Sequence, residues 1–217
     1  MERERTPMDP GEIEKRSFEI IESEVPEPRP FNGREWLIVR RMIHTSADLD
    51  LLSLVRFHPD AVRHGMEALK KGCLIVTDTQ MVRMGITRGR MERLGCEVAC
   101  YINDPEVRDK AARGGRTRAA LAVDRGISRL EGSLFVVGNA PTALLRILEI
   151  LEDNGPTPAL IVGMPVGFVS AKESKDLLMA QETVPYITVE GRKGGSALAA
   201  TVVNQLAEMA LEEQGKG

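Results

Sequence analysis

Apolar runs rich in β-branched residues occupy residues 73–77, 134–138, 160–163 and 186–191, and each breaks off onto a short turn. The turns read Asp78-Thr79-Gln80-Met81, Asn139-Ala140-Pro141-Thr142, Met164-Pro165-Val166-Gly167-Phe168 and Arg192-Lys193-Gly194-Gly195-Ser196. A stretch of helical periodicity follows every one. The pattern predicts strands near 73–77, 97–102, 134–138, 159–163 and 186–190. Helices are expected near 79–84, 88–94, 116–130, 141–153, 171–181 and 196–213. Strands that alternate with helices and are apolar almost throughout imply a parallel sheet covered on both faces. The prediction is an α/β fold with one central, mostly parallel five-stranded sheet, and residues 1–217 as a single domain. Ligands of such sheets sit at the carboxyl ends of the strands, so the four turns are where function is sought.

Extra helices precede the sheet. Asp9-Pro10-Gly11-Glu12 has the form of a capping box with Pro in the first turn. The helix it opens carries Ile13, Phe18, Ile20 and Ile21 up to Glu24. Pro26, Pro28 and Pro30 end it. A second helix is expected over 33–43, with Trp36, Leu37, Val39 and Ile43 facing the core. His58-Pro59-Asp60 opens a third, closed by Lys70-Lys71-Gly72. Ser170-Ala171-Lys172-Glu173 reads as a further capping box.

Composition removes several functions. The chain has 217 residues, a net charge of -3 and 4% aromatic residues. It lacks both the basic surface that neutralises phosphates and the rings that stack on bases, so no nucleic-acid partner is expected. No apolar run reaches the ~20 residues that cross a bilayer, and Met-Glu-Arg-Glu-Arg at the start does not read as a secretory leader. Three cysteines without a C-x-x-C pair suggest neither a disulfide framework nor a zinc site, and suit a reducing cytoplasm.

Of the three histidines, His44 is the candidate for chemistry. It sits where a helix gives way to Thr45-Ser46-Ala47-Asp48, and imidazole beside hydroxyls is suited to proton exchange. On residue type alone, a capping or surface histidine is the simpler reading. Arginines cluster after the strands: Arg83, Arg88, Arg90 and Arg93, then Arg113, Arg116 and Arg118, then Arg192. Their forks suit a ligand with many carboxylates, although several have the spacing of a solvated helix face. Arg88 and Arg192 read as lying in the turns themselves. Gly194, Gly195 and Ser196 open the last helix, and Gly138 and Asn139 open another, as backbone donors for anions. Met81, Met164 and Phe168 offer apolar surface. The dinucleotide and P-loop fingerprints are absent, and so are metal-ligand spacing and a nucleophile elbow.

These segments resemble, in order and over nearly the whole chain, the precorrin-8X methylmutase family, also called cobalt-precorrin-8 methylmutase. The matching stretches are Arg16-Ser17-Phe18-Glu19-Ile20-Ile21, Arg41-Met42-Ile43-His44 and Asp78-Thr79-Gln80-Met81-Val82 with Gly85-Ile86-Thr87-Arg88. Thr117-Arg118-Ala119-Ala120, Gly138-Asn139-Ala140-Pro141-Thr142-Ala143-Leu144 and Gly163-Met164-Pro165-Val166-Gly167-Phe168-Val169 continue the series. Glu173-Ser174-Lys175-Asp176 and Gly191-Arg192-Lys193-Gly194-Gly195-Ser196-Ala197 complete it.

The resemblance implies a flavodoxin-like three-layer α/β/α fold, a homodimer and no organic cofactor or metal. It implies an isomerase that moves a methyl group from C-11 to C-12 of a corrinoid tetrapyrrole. One histidine acts as acid and base, which singles out His44. Arg41, Arg88, Arg118 and Arg192 would hold the peripheral carboxylates of the macrocycle. Ser17, Thr45, Thr87, Asn139 and Ser196, with Asp78, Thr79 and Lys175 from the matched motifs, would add polar contacts. Two rivals are a tetrapyrrole carrier without chemistry and a nucleotide-binding flavodoxin-like protein, the latter disfavoured by the missing phosphate fingerprints.

Overall fold

The computed structural model describes residues 9–215, so the leader reading of Met1–Arg5 lies outside the described residues. Eleven α-helices and six strands are present among them, in the order α1 (Pro10–Glu24), α2 (Gly33–Ser46), α3 (Leu51–Leu54), β1 (Val55–Phe57) and α4 (Ala61–Lys70). Next come β2 (Leu74–Thr77), α5 (Gln80–Gly85), α6 (Arg88–Leu94), β3 (Glu97–Ala99), α7 (Pro105–Ala112) and α8 (Arg118–Gly126). A 3-10 turn (Ile127–Arg129) leads to β4 (Leu134–Val137), α9 (Pro141–Glu152), β5 (Leu160–Gly163), α10 (Ala171–Ala180), β6 (Tyr186–Val189) and α11 (Ser196–Glu213).

The strands form one sheet in the order β1-β6-β5-β4-β2-β3. All neighbours are parallel except β1, which runs antiparallel to β6 with Val55 opposite Val189. The sheet therefore has six strands rather than the expected five. The edge strand β1 is only three residues long and has a polar centre, Arg56, so no apolar run announces it.

The continuous apolar strands are explained by two cores. Successive side chains of a strand point to opposite faces. Ile75, Leu134, Val136, Leu160, Val162, Ile187 and Val189 enter a front core with α1, α2, α4, α5, α6 and α11. Val76, Phe135, Val137 and Ile161 enter a back core with α8, α9 and α10. The result is the three-layer α/β/α arrangement. None of the described helices is long and apolar enough to cross a membrane.

The Asp9 capping box forms as expected: Asp9 accepts from Gly11 N–H, and Glu12 reaches back to the cap. The box at Ser170 does not. Ser170 adopts the left-handed region with φ +61°, and its side chain makes no cap bond. An N-cap hydroxyl reaches the first-turn amides from the extended region, which this backbone has left. The helix over Pro105–Ala112 was not expected either, because Val107 is its one buried residue and no periodicity marks it.

Candidate active site at the strand tips

β2 and β4 are neighbours, yet the helices after them depart to opposite faces, α5 to the front and α9 to the back. Their carboxyl ends thus border the crevice where open α/β sheets take ligands. Asp78 occupies it. Its carboxylate accepts the backbone N–H groups of Gly138 (3.1 Å), Asn139 (2.8 Å) and Ala140 (2.7 Å). Burial pushes the Asp78 pKa up, and the three amides oppose that effect. The carboxylate is therefore engaged in holding the loop after β4.

The start of α11 is pressed against this loop. A Cβ on Gly138 would lie 2.6 Å from Val82 Cγ2 and 2.7 Å from Ser196 Cα, so the approach requires glycine. Thr79 begins α5 by accepting from Val82 N–H (3.4 Å), which leaves Met81 exposed. The turn between α5 and α6 is tied to α11 by Asn204, which accepts from Thr87 N–H and donates to the Gly85 carbonyl, both at 2.8 Å. Gly195 N–H donates to the Met164 carbonyl (2.8 Å), and a Cβ on Gly194 would collide with that same oxygen. The Met164 side chain itself is wholly buried in the front core. Phe168 is exposed, with the Arg192 guanidinium 5.3 Å from its ring centroid.

Lys193 joins this loop to the histidine. Its ammonium donates to Asp48 and Asp50, each at 2.7 Å, and this contact holds the Asp48 carboxyl below its usual range. Its carbonyl accepts from Lys175 Nζ at 2.6 Å. Lys175 is wholly buried, beneath the loop instead of facing a ligand. Burial pushes its pKa from 10.5 down to about 8. The folded chain therefore binds fewer protons than the unfolded chain between those values, and this residue's unfavourable contribution is relieved as pH rises through that window. The stability of the wild type minus that of Lys175→Met should increase by about 3 kcal/mol or less between pH 7 and pH 10. Urea titrations at the two pH values measure it; a flat or falling difference would refute the buried ammonium.

His44 lies in the last turn of α2, four residues before Asp48. Its half-buried ring packs on Phe18 of α1 at a centroid distance of 5.2 Å. The guanidinium groups of Arg40 and Arg41 lie 4.3 Å and 4.8 Å from the same Phe18 ring. Thr45 Oγ1 stands 3.0 Å from Thr201 Oγ1, fixing the end of α2 to the first turns of α11. The imidazole thus stands at the carboxyl end of α2, beside residues tied to α11 and to the loop after β6.

Other expected residues take different positions. Arg41 lies on the flank, paired with Glu14 and Glu208 and bonded to Gln205 (3.2 Å). Ser17, next to Phe18, returns its hydroxyl to the Ile13 carbonyl (2.8 Å). Arg88 is the first residue of α6 and not a turn residue; it is exposed and pairs with Glu92 at 2.7 Å. Arg118 begins α8, which Thr117 ties to the start of α9 through Thr142 (2.7 Å). No described carboxylate lies within 4.0 Å of Arg118 or Arg192. Sequence reasoning passed over Phe18, Lys193, Asp48, Thr201 and Asn204 as site residues. Phe18 reads from the sequence only as a helix-core and motif residue, and no local signal marks the cross-chain partners of the rest.

These features combine an imidazole, two arginines without carboxylate partners among the described residues and an 18-residue helix that starts without a side-chain cap. Met81 and Met84 of α5 and Phe168 and Val169 after β5 are apolar and exposed. The arrangement fits a large, partly apolar polyanion. Among the described residues no His, Cys, Asp and Glu group could hold a metal ion.

The sequence model of the family described as "CbiC: Precorrin-8X methylmutase" matches residues 12–209. The cobalt-precorrin-8 methylmutase of Leptospira interrogans is 45% identical over 201 residues, covering 89% of this chain and 91% of that protein. The precorrin-8X methylmutase of Sinorhizobium sp is 44% identical over 204 residues, 94% of this chain and 96% of the relative. The crystal structure of a precorrin-8X methylmutase from Thermus thermophilus superposes with a TM-score of 0.87 at 40% identity, over 94% of this chain and 97% of that one.

Proposed function

Because the chain belongs to the precorrin-8X methylmutase family, an isomerase family of cobalamin biosynthesis, we propose that it moves the methyl group of precorrin-8X or cobalt-precorrin-8 from C-11 to C-12, with His44 as the acid/base. The product is hydrogenobyrinic or cobyrinic acid. The bond from C-11 to the methyl breaks, the bond to C-12 forms, and the ring's double bonds shift; atomic composition is unchanged. Protonation of the macrocycle by His44 would draw electron density from the migration terminus, and the same imidazole would recover a proton afterwards.

The observation that carries this reading is the placement of His44. Phe18 packs against its ring, and Lys193 ties Asp48, one turn on, to the glycine loop at the tip of β6. Arg118 and Arg192, with the start of α11, would take the peripheral carboxylates. Arg41, Arg88 and Ser17 would join from the flank, with Thr45, Thr87, Asn139 and Ser196 as neutral donors. Met81 and Phe168 would cover the flat face. Asp78, Thr79, Gly138, Met164, Lys175, Gly194 and Gly195 would build the loops that hold these groups. Holding a rigid ring in a reactive geometry supplies much of such a rate, because a sigmatropic shift asks little covalent chemistry of the protein. The protein would act as a cytoplasmic homodimer whose exposed apolar loops are covered by substrate and partner.

Incubation of the purified protein with precorrin-8X tests the reading. The absorption spectrum should change to that of hydrogenobyrinic acid at unchanged ligand mass. A bound but spectrally unaltered ligand would make the protein a carrier.

A further inference from the structure

A second chemical centre lies at the opposite, amino-terminal end of the sheet. β2 and β3 pair in parallel with Leu74 opposite Glu97, so Cys73 and Cys96, the residues immediately before the two strands, stand across from one another. In-register neighbours of a parallel pair face the same side, and both cysteines pack on the front core. Adjacent strands are about 4.8 Å apart, inside the roughly 4.4–6.8 Å between Cα atoms that a disulfide spans. The backbones stay close here, since a Cβ on Gly72 would lie 3.0 Å from the Gly95 carbonyl oxygen. Cys96 Sγ is 3.4 Å from the Leu69 carbonyl. Cys96 lines an open cleft of about 660 Å³ with Ile86, Thr87 and Arg88, which gives a small oxidant access.

We propose that Cys73 and Cys96 form a reversible dithiol–disulfide pair that staples the edge strand β3 to β2, with Cys96 as the attacking thiol and Cys73 as the resolving one. The neighbouring Cys73 thiol lowers the Cys96 pKa, whereas Cys96, and then burial, raise the Cys73 pKa. The thiolate is the reacting form, and Cys96 lines the open cleft whereas Cys73 does not, so the oxidant meets Cys96 first. With glutathione disulfide as oxidant, the Cys96 thiolate attacks one of its sulfurs. A Cys96–glutathione bond forms, the oxidant's S–S bond breaks, and one glutathione thiolate leaves. Cys73 then gives its proton to water and attacks the Cys96 sulfur, expelling the second glutathione. Two protein thiols are oxidised and one disulfide is reduced.

The full-length protein is treated with glutathione disulfide and read by non-reducing peptide mass analysis. The expected result is a Cys73–Cys96 cross-link lacking two hydrogen atoms, reversed by dithiothreitol, with Cys100 free. Cys73→Ser should keep one glutathione on Cys96, and Cys96→Ser should react at Cys73 at least about tenfold more slowly. Stable glutathionylation of the wild type, unreacted thiols, a cross-link to Cys100, or equal rates in the two variants would each overturn the proposal. The wild-type measurement stands whether or not the variants fold.

Discussion

Protein carrying His44→Ala is expected to bind the corrinoid and fail to isomerise it. A positioned proton donor contributes about 10²–10⁴ in rate, and alanine can neither give nor take the proton. The fold should persist. His44 is half-buried in the final turn of its helix, and its principal contact is one face of Phe18. Phe18 keeps the two guanidinium groups stacked on it, so removing the imidazole costs about 1 kcal/mol. Spectral titration with substrate should give a dissociation constant close to that of the wild type, while single-turnover absorbance shows the rate reduced at least about a hundredfold. Turnover at the wild-type rate would remove His44 from the chemistry. Loss of binding together with rate would instead make it a substrate anchor.

Asp78→Ala should be the most destabilising of the substitutions at the strand tips. Three buried or half-buried amides converge on this carboxylate and would lose their acceptor together. An orphaned buried donor costs about 1–3 kcal/mol. With partial rescue by water the sum is about 3–5 kcal/mol, a large share of a domain's total stability. Asp78→Asn should fall between the two, since its amide oxygen still accepts while its NH₂ opposes the remaining N–H groups. Denaturant midpoints of the three proteins test this ordering. A midpoint for Asp78→Ala within about 0.5 kcal/mol of the wild type would show that the loop after β4 keeps its shape without the carboxylate.

The sequence made the parallel sheet legible because a strand buried on both sides must be apolar at every position, and β4 and β5 are buried throughout. β1 escaped notice for the opposite reason: its conformation is imposed by pairing with β6, over a hundred residues away, and not by local pattern. Ser170 misled because a capping sequence cannot report the φ that its chain entry imposes. The glycine turns at the strand ends and the histidine at a helix end were legible as residue types. The supporting contacts were not, since Lys193 and Asp48 are 145 residues apart in the chain. Lys175 enters the expected contacts only through its matched motif, and no local pattern announces that its side chain is wholly buried.

The division of the apolar interior into two cores sharing one sheet has a practical consequence. α8 and α9 shield Val123, Phe135, Ile147 and Ile161 from water, and His44 and Phe18 lie on the far side of the strands from them. Repacking behind the sheet reaches the imidazole only through hydrogen-bonded strand backbones. Thermal hardening, surface immobilisation and reporter fusions therefore belong on the outer faces of that rear layer, away from the helix starts at Arg118 and Pro141 and from Lys175.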